Sequence, residues 1–115
     1  MKATELMTVL EGRLLSGELP SEEIEAGCGS DMMSDVLAFS KDKMVLLTGL
    51  TNTHVVRTCE MLDVLMIVFV RGKTPGQDVL EMAEDRGMTI AMTDFSLYEA
   101  CGKLYNMGLK GYNRR

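Results

Sequence analysis

The chain has 115 residues, a length that predicts a single domain whose core needs neither disulfides nor a metal. Hydrophobic residues make up 46% and charged residues 25%, which is typical of a globular protein and excludes a disordered one. The net charge of −5 argues against electrostatic binding of nucleic acid, and no apolar run is long enough to span a membrane.

The ends and the cysteines indicate the compartment. Residues 1–13 carry acidic side chains within their apolar pattern, which argues against a signal peptide. Residues 110–115 (KGYNRR) are predicted to be a short, solvated basic tail. The cysteines Cys28, Cys59 and Cys101 are far apart and form no C-x-x-C pair, so neither a zinc site nor a disulfide framework is expected. A reduced, cytoplasmic protein fits these features.

The first quarter of the chain predicts one helix and two short strands. Residues 3–11 place apolar side chains at helical spacing, and Gly12 is expected to end that helix. Residues 13–17 are predicted to form a short strand that runs into a turn, and residues 23–28 a second, weakly alternating strand.

A second helix is predicted next, with Ser30 or Asp31 as its N-cap. Its apolar stripe would be formed by Met32, Met33, Val36 and Leu37. The continuous apolar run 44–49 is typical of a strand buried on both faces. A third helix follows, capped by Thr51 or Asn52. Its inner face would carry Val55, Val56, Cys59 and Leu62.

Residues 64–70 form the strongest strand signal in the chain. The next helix is expected to have Thr74 as its N-cap, Pro75 at N1 and Gln77 completing a capping box, and to end at Gly87. Its inward-facing residues would be Val79, Leu80 and Ala83.

A buried strand over residues 88–93 precedes the last helix, which Asp94 or Ser96 would open and Gly108 would close. One face of this helix is predicted to carry Tyr98, Cys101, Leu104 and Tyr105. Strands that alternate with helices predict an α/β fold, a single three-layer domain with a largely parallel sheet and helices on both faces.

The strand-to-helix loops of such a sheet lie at the same edge, where ligands bind. Four polar, glycine-containing or hydroxyl-rich loops are expected there, over residues 27–31, 48–54, 71–76 and 93–96. Glycines allow close approach of the backbone, and helix N-termini favour anions. The candidate ligand-binding residues are Gly29, Ser30, Asp31, Gly49, Thr51, Asn52, Arg71, Gly72 and Lys73. For residues 48–54 the alternative is a simple turn that leads into a capped helix.

No complete catalytic motif is present. Lys73 follows a glycine and precedes a threonine as in a P-loop, but Ile67 stands where the first glycine of that motif is required. P-loop kinase or ATPase chemistry is therefore excluded. The only histidine, His54, has no nearby Ser or Cys nucleophile and is a reserve candidate for ligand binding.

Two features leave an enzyme as a third alternative. Cys28 is expected in a loop between glycines, where a helix N-terminus could lower its pKa. Asp31 and Asp35 are four residues apart and could share a helical face that holds Mg²⁺. A passive thiol, and a cap plus a surface charge, are the simpler interpretations.

The segments GSDMMSDVLAF, LLTGLTN, VLMIVFVRGKTP and VLEMAEDRGMTIAMTDFSLYEACGKLYNMGL resemble the DRTGG domain family over residues 3–109. That family is similar to the non-catalytic N-terminal domain of HPr kinase/phosphorylase, and it accompanies CBS domains in some pyrophosphatases. The residues after which it is named are not intact here. Ser30-Asp31 or Asp31-Met32 stands for Asp-Arg, and Val70-Arg71-Gly72 for Thr-Gly-Gly.

The resemblance implies a three-layer domain that self-associates, as a dimer, and has a regulatory role. We therefore expect a cytoplasmic ligand-sensing module that is not an enzyme, requires no cofactor or metal, and has an adenine nucleotide or another anionic metabolite as its candidate ligand. The alternative is an interaction or dimerisation module, an accessory to a metabolic or hydrogenase-type redox complex, that binds no small ligand. Its contact surface would be the methionine-rich helix at 31–37 and the tyrosines near the C-terminus.

Overall fold

A computed structural model of the chain describes residues 1–38 and 42–111. Within these residues five helices and five strands are formed. The helices are α1 (Ala3–Leu10), α2 (Met33–Ala38), α3 (Thr53–Met61), α4 (Gln77–Asp85) and α5 (Leu97–Asn106). The strands are β1 (Arg13–Ser16), β2 (Ala26–Gly29), β3 (Met44–Thr48), β4 (Val64–Phe69) and β5 (Thr89–Met92). None of these helices is long and apolar enough to cross a membrane.

The strands form one sheet in the order β1-β5-β4-β3-β2. Strands β2 to β5 are parallel to one another, and β1 pairs antiparallel with β5. Every residue of β3 and β5 is buried, as expected for strands covered on both faces. The carboxyl ends of β2, β3, β4 and β5 therefore meet at one edge, which we call the loop edge.

Two hydrophobic clusters separate the sheet from its helices and give three layers. One cluster joins α2, α3 and α4 to a face of the sheet, with Phe69 and Ile67 at its centre. The other joins α1 and α5 to the opposite face, around Val68 and Leu47. Neighbouring residues of β4 thus pack into different clusters, because side chains alternate along a strand. The predicted three-layer α/β fold is confirmed.

Several predicted helix boundaries are wrong. The left-handed residue that ends α1 is Glu11, with φ of 50°, and not Gly12. Helix α4 has Gly76 as its N-cap, with no side-chain cap. Pro75 is buried ahead of the helix, and the side chain of Gln77 donates to Glu81 instead of completing a capping box.

Neither predicted residue caps α2. The carbonyl of Met32 accepts from the N–H groups of Asp35 and Val36, so Met32 occupies the N-cap position. The Ser30 hydroxyl accepts from the N–H of Met32 in a local turn at 3.0 Å. By contrast, α3 and α5 begin at predicted caps: Asn52 accepts from Val55, and Ser96 accepts from Glu99.

The predicted strand 23–28 begins later, at Ala26. Ile24 is buried and donates its N–H to the carbonyl of Met1, while Glu25 donates to Lys43, so these residues lead into the sheet without belonging to β2. Of the basic tail predicted over residues 110–115, residues 112–115 lie outside the described part of the chain.

Two apolar stripes are only partly buried. In α2 the side chains of Met33 and Val36 are buried, but Met32 is 60% and Leu37 43% exposed. In α5 the inward residues are Ala100 and Leu104, whereas Tyr98 is 88% and Tyr105 59% exposed. Helical spacing predicts which residues share a face, but it does not predict how wide a strip the neighbouring sheet covers.

Candidate functional site

The loops after β2 and β3 are joined by the carboxylate of Asp31. Its Oδ1 atom accepts hydrogen bonds from the N–H of Gly49 at 2.7 Å and from Thr48 Oγ1 at 3.0 Å. The Thr48 hydroxyl also accepts from the N–H of Leu50. Asp31 is therefore a bridging residue, and not the helix cap that the sequence predicted. Thr48 was missed as a site residue; the only signal was a hydroxyl at the end of an otherwise apolar strand.

The loop after β4 turns sharply at Arg71 and Gly72, which have φ angles of 60° and 66°. Both N–H groups donate to the loop after β5, that of Arg71 to the Phe95 carbonyl at 2.7 Å and that of Gly72 to the Thr93 carbonyl at 2.9 Å. A left-handed conformation is natural for glycine and costs about 1–2 kcal/mol for other residues. Arg71 is thus held in a strained conformation at the loop edge.

The side chains of Arg71 and Lys73 converge on Gly49. Lys73 Nζ donates to the Gly49 carbonyl at 3.2 Å. A Cβ atom at Gly49 would lie 2.9 Å from the guanidinium Nη2 of Arg71 and 3.5 Å from both carboxylate oxygens of Asp31. Only glycine lets the guanidinium approach the main chain this closely. We call this group of residues, Gly49 with Asp31, Arg71 and Lys73 around it, the Gly49 cradle.

The charge around the cradle is more basic than the protein as a whole. At Gly49 itself, Arg71 and Lys73 contribute two positive charges against the one carboxylate of Asp31. The pair between Arg13 and Asp94 is 3.8 Å long and mostly exposed, so it contributes little to stability. A local excess of one positive charge thus lies on a protein whose net charge is −5, and it favours a small anion at this edge.

The structure brings together only part of the predicted site. Asp31, Gly49, Arg71, Gly72 and Lys73 lie around the cradle, whereas other predicted residues have local or separate contacts. Ser30 makes its turn with Met32, and Asn52 caps α3. Thr51 forms no side-chain hydrogen bond with the described residues, and the predicted candidate Gly29 packs against α5.

The cysteines do not have the environment of nucleophiles. Burial raises the pKa of the Cys28 thiol, the opposite of the shift that a reactive thiolate needs. Burial also raises the pKa of Cys101, and it raises the pKa of Cys59 to about 12. Cys28 also lies within β2, and not in the loop that the sequence predicted. Within residues 1–38 and 42–111, no cluster of three His, Cys, Asp or Glu side chains could hold a metal ion.

No family model and no curated protein matches this sequence. The structure is similar to the crystal structure of the CBS and DRTGG domains of the regulatory region of Clostridium perfringens pyrophosphatase, complexed with its activator, diadenosine tetraphosphate. The TM-score is 0.71 at 14% sequence identity, and the match covers 90% of this chain and 45% of that one. At this identity the likeness shows the fold, and the chain corresponds to less than half the length of the solved region.

Proposed function

We propose that the chain is a regulatory, ligand-sensing module that binds an anionic metabolite at the Gly49 cradle. An adenine nucleotide is the candidate class. The observation that carries the proposal is Arg71: a strained residue whose guanidinium is placed beside the bare backbone of Gly49, next to Lys73. Strained backbone tends to be retained where it serves a function.

The cradle offers the groups that a phosphate or carboxylate ligand needs. Arg71 supplies a forked donor, which suits planar and tetrahedral anions, and Lys73 supplies a second positive charge. The hydrogen bond from Gly49 to Asp31 fixes the backbone between them. The N-terminus of α3 lies directly after this loop, and its partial positive charge adds to the attraction.

The structural neighbour supports a regulatory role and an adenine-containing ligand. It belongs to the regulatory region of a pyrophosphatase and contains a diadenosine activator. The raised pKa values of the three thiols argue against any of them as a catalytic nucleophile.

The test is thermal unfolding of the purified chain with AMP, ADP, ATP, diadenosine tetraphosphate, pyrophosphate and acetyl phosphate, each with and without Mg²⁺. A ligand at about 100 times its dissociation constant adds about 2.7 kcal/mol, which shifts the melting temperature by several degrees. Arg71→Ala and Lys73→Ala should each abolish most of that shift.

Arg86→Ala is the matched control. Arg86 is a surface cation at the C-terminal end of α4, at the opposite edge of the sheet, and it pairs with Glu60 at 2.8 Å. We expect this variant to melt slightly lower without ligand and to keep the full ligand-induced shift. A shift that survives both Arg71→Ala and Lys73→Ala would contradict the assignment of the cradle.

A second candidate function is an interaction module that forms a homodimer or docks on a metabolic enzyme. The exposed apolar side chains of α5 and its end favour it, namely those of Tyr98, Tyr105 and Met107. Large exposed apolar patches mark interaction surfaces. Sedimentation velocity across a concentration series tests self-association. Association that Tyr98→Ser abolishes, together with no response to any ligand of the panel, would favour this function over the first.

A further inference from the structure

A second concave surface lies away from the Gly49 cradle, between the edge strand β2 and helix α5. It forms a cavity of about 790 Å³ that is open to solvent and is lined almost entirely by apolar atoms. Leu97 and Cys101 form its wall, and Tyr98 and Tyr105 flank its mouth. Small-molecule sites in proteins typically have volumes of about 300–1,000 Å³ and mostly apolar walls. We call this surface the β2–α5 groove.

The floor of the groove is the main chain of β2 with two side chains packed on it. Gly27 and Gly29 have no side chain of their own, so the sulfur atom of Cys101 fills the place of a Cβ at Gly29, and Leu109 lies 3.3 Å from that place at Gly27. The main chain of β2 is also held on its outer side, because Gly27 donates its N–H to the carbonyl of Lys110 at 2.9 Å. The floor is therefore fixed, and it is apolar where Cys101 and Leu109 cover it.

Gly102 indicates that the groove is kept open for an occupant. It lies in the interior of α5, where glycine is the least favourable residue after proline. Its φ angle is not positive, and a Cβ there would meet nothing within 4 Å. Neither its backbone conformation nor packing among the described residues explains this glycine. Because Gly102 lines the groove, any larger side chain would occupy the empty space.

The mouth of the groove combines an aromatic ring with a positive charge. Lys110 Nζ lies 4.4 Å from the centre of the Tyr105 ring, and both residues line the groove. Among the described residues that line the groove, Lys110 alone has a charged side chain. A ligand with an aromatic body and one negative group would place the body against the apolar lining and the ring of Tyr105, and the negative group beside Lys110.

We propose that the β2–α5 groove binds a small, planar aromatic molecule that carries a single negative charge. This site is separate from the Gly49 cradle and does not depend on the function proposed for it. Its aromatic part would be recognised by apolar contact and its anionic part by Lys110.

The experiment uses two fluorescent probes with nearly the same apolar body, anilinonaphthalene sulfonate and the uncharged N-phenyl-naphthylamine. Both are titrated against the wild type, Gly102→Leu, Gly102→Ala, Lys110→Gln and Met61→Ser. Met61 is the matched control, because it is an exposed apolar residue at the end of α3 and outside the groove. Sedimentation velocity of the same samples reports their oligomeric state.

Gly102→Leu should lower the affinity for both probes by about tenfold or more. The loss of one modest apolar contact already lowers an affinity about tenfold. Gly102→Ala should give a smaller loss of affinity and a higher melting temperature, because alanine favours the helix more than glycine does. The melting curve of each variant shows whether that variant is folded. Lys110→Gln should weaken the sulfonate probe by about two- to fivefold, the usual range for an exposed charge, and leave the neutral probe unchanged. Met61→Ser should leave both affinities within about twofold, a difference smaller than one modest contact gives.

Two results would overturn the proposal. One is that Gly102→Leu binds each probe as tightly as the wild type does, which would mean that the probes bind outside the groove. The other is a wild-type dimer that Gly102→Leu converts to a monomer, which would identify a second copy of the chain as the occupant of the groove.

Discussion

Asp31 and Gly49 are joined by a hydrogen bond of 2.7 Å from the main-chain N–H of Gly49 to the carboxylate Oδ1. This contact links the loop after β2 to the loop after β3, on adjacent strands of the sheet. Because the Gly49 carbonyl in turn accepts from Lys73, the three residues form a connected series across the loop edge. Asp31 thus positions the backbone of the proposed site.

Replacing Asp31 should loosen this edge. Asp31→Ala should lower the free energy of unfolding by about 1.5 kcal/mol, at the low end for hydrogen bonds to a charged group because Asp31 is exposed. Urea unfolding followed by circular dichroism measures the change. Asp35→Ala, which removes an exposed carboxylate from the first turn of α2, is the control and should cost less. Equal losses in the two variants would show that the bridge contributes nothing.

Arg71 should lower the stability of the fold while it contributes to ligand binding. Arg71→Gly should raise the free energy of unfolding by about 1 kcal/mol, because glycine adopts a φ of 60° without strain while gaining some freedom in the unfolded chain. The same variant should lose the ligand-induced rise in melting temperature, because the guanidinium is gone. Chemical denaturation and the ligand panel measure the two effects.

Lys43→Gly is the control for these two effects. Lys43 is also left-handed, with φ of 55°, but it directly precedes β3 and so lies at the edge of the sheet opposite the loop edge. Its replacement should stabilise the protein by a similar amount and leave the ligand response intact. If Arg71→Gly destabilises the protein, the turn is not strained as described.

The fold could be predicted from the sequence because each buried strand can be recognised from the residues within it. The apolar runs 44–49 and 64–70 have no alternation, so they required cover on both faces and hence a parallel sheet with helices on either side. Asn52 and Ser96 could be predicted as caps because a cap acts on residues two or three positions away.

The contacts that shape the sites could not be predicted in this way. Asp31 looks like a cap in the sequence, but its carboxylate has better partners on β3, which only the parallel pairing of β2 with β3 brings near. Gly29 looks like part of a ligand loop, yet its missing side chain accommodates Cys101 of α5. Such roles depend on residues far apart in the chain, and periodicity carries no information about them.

The thiols should alkylate slowly at neutral pH. Burial raises the pKa of Cys28 and of Cys101, and it raises the pKa of Cys59 to about 12, so little thiolate is present at pH 7. Iodoacetamide labelling followed by mass spectrometry should give each site a lower rate in the folded chain than in urea, with Cys59 the slowest. Rapid labelling of Cys28 at pH 7 would contradict the raised pKa and revive an enzymatic role.

The raised pKa of Cys59 predicts how the free energy of unfolding changes with pH. Because the pKa of Cys59 is higher in the folded chain than in the unfolded one, folding favours the protonated thiol. Its contribution to the free energy of unfolding is complete below the unfolded pKa of about 8.5 and declines as the pH rises toward about 12. Cys59→Ala should flatten the alkaline part of the stability curve.

Gly29 and Cys101 should show strong coupling in a double-mutant cycle. Gly29→Ala places a methyl group in overlap with the Cys101 sulfur, and crowding of this kind costs about 1–3 kcal/mol. Cys101→Ala removes the sulfur, and the remaining Cβ of residue 101 would lie at an ordinary contact distance of 4.0 Å from the new methyl group. The double variant should therefore recover most of the stability that Gly29→Ala loses.

Urea unfolding of the two single variants and the double variant measures this coupling. Gly27→Ala with Cys101→Ala is the control pair, since a Cβ at Gly27 faces Leu109 and not the sulfur, so its effect should add to that of Cys101→Ala. Additive losses for Gly29→Ala and Cys101→Ala would mean that α5 does not pack against β2 at this point. The wall and floor of the β2–α5 groove would then not meet as described, and the space that Gly102 leaves open would need another explanation.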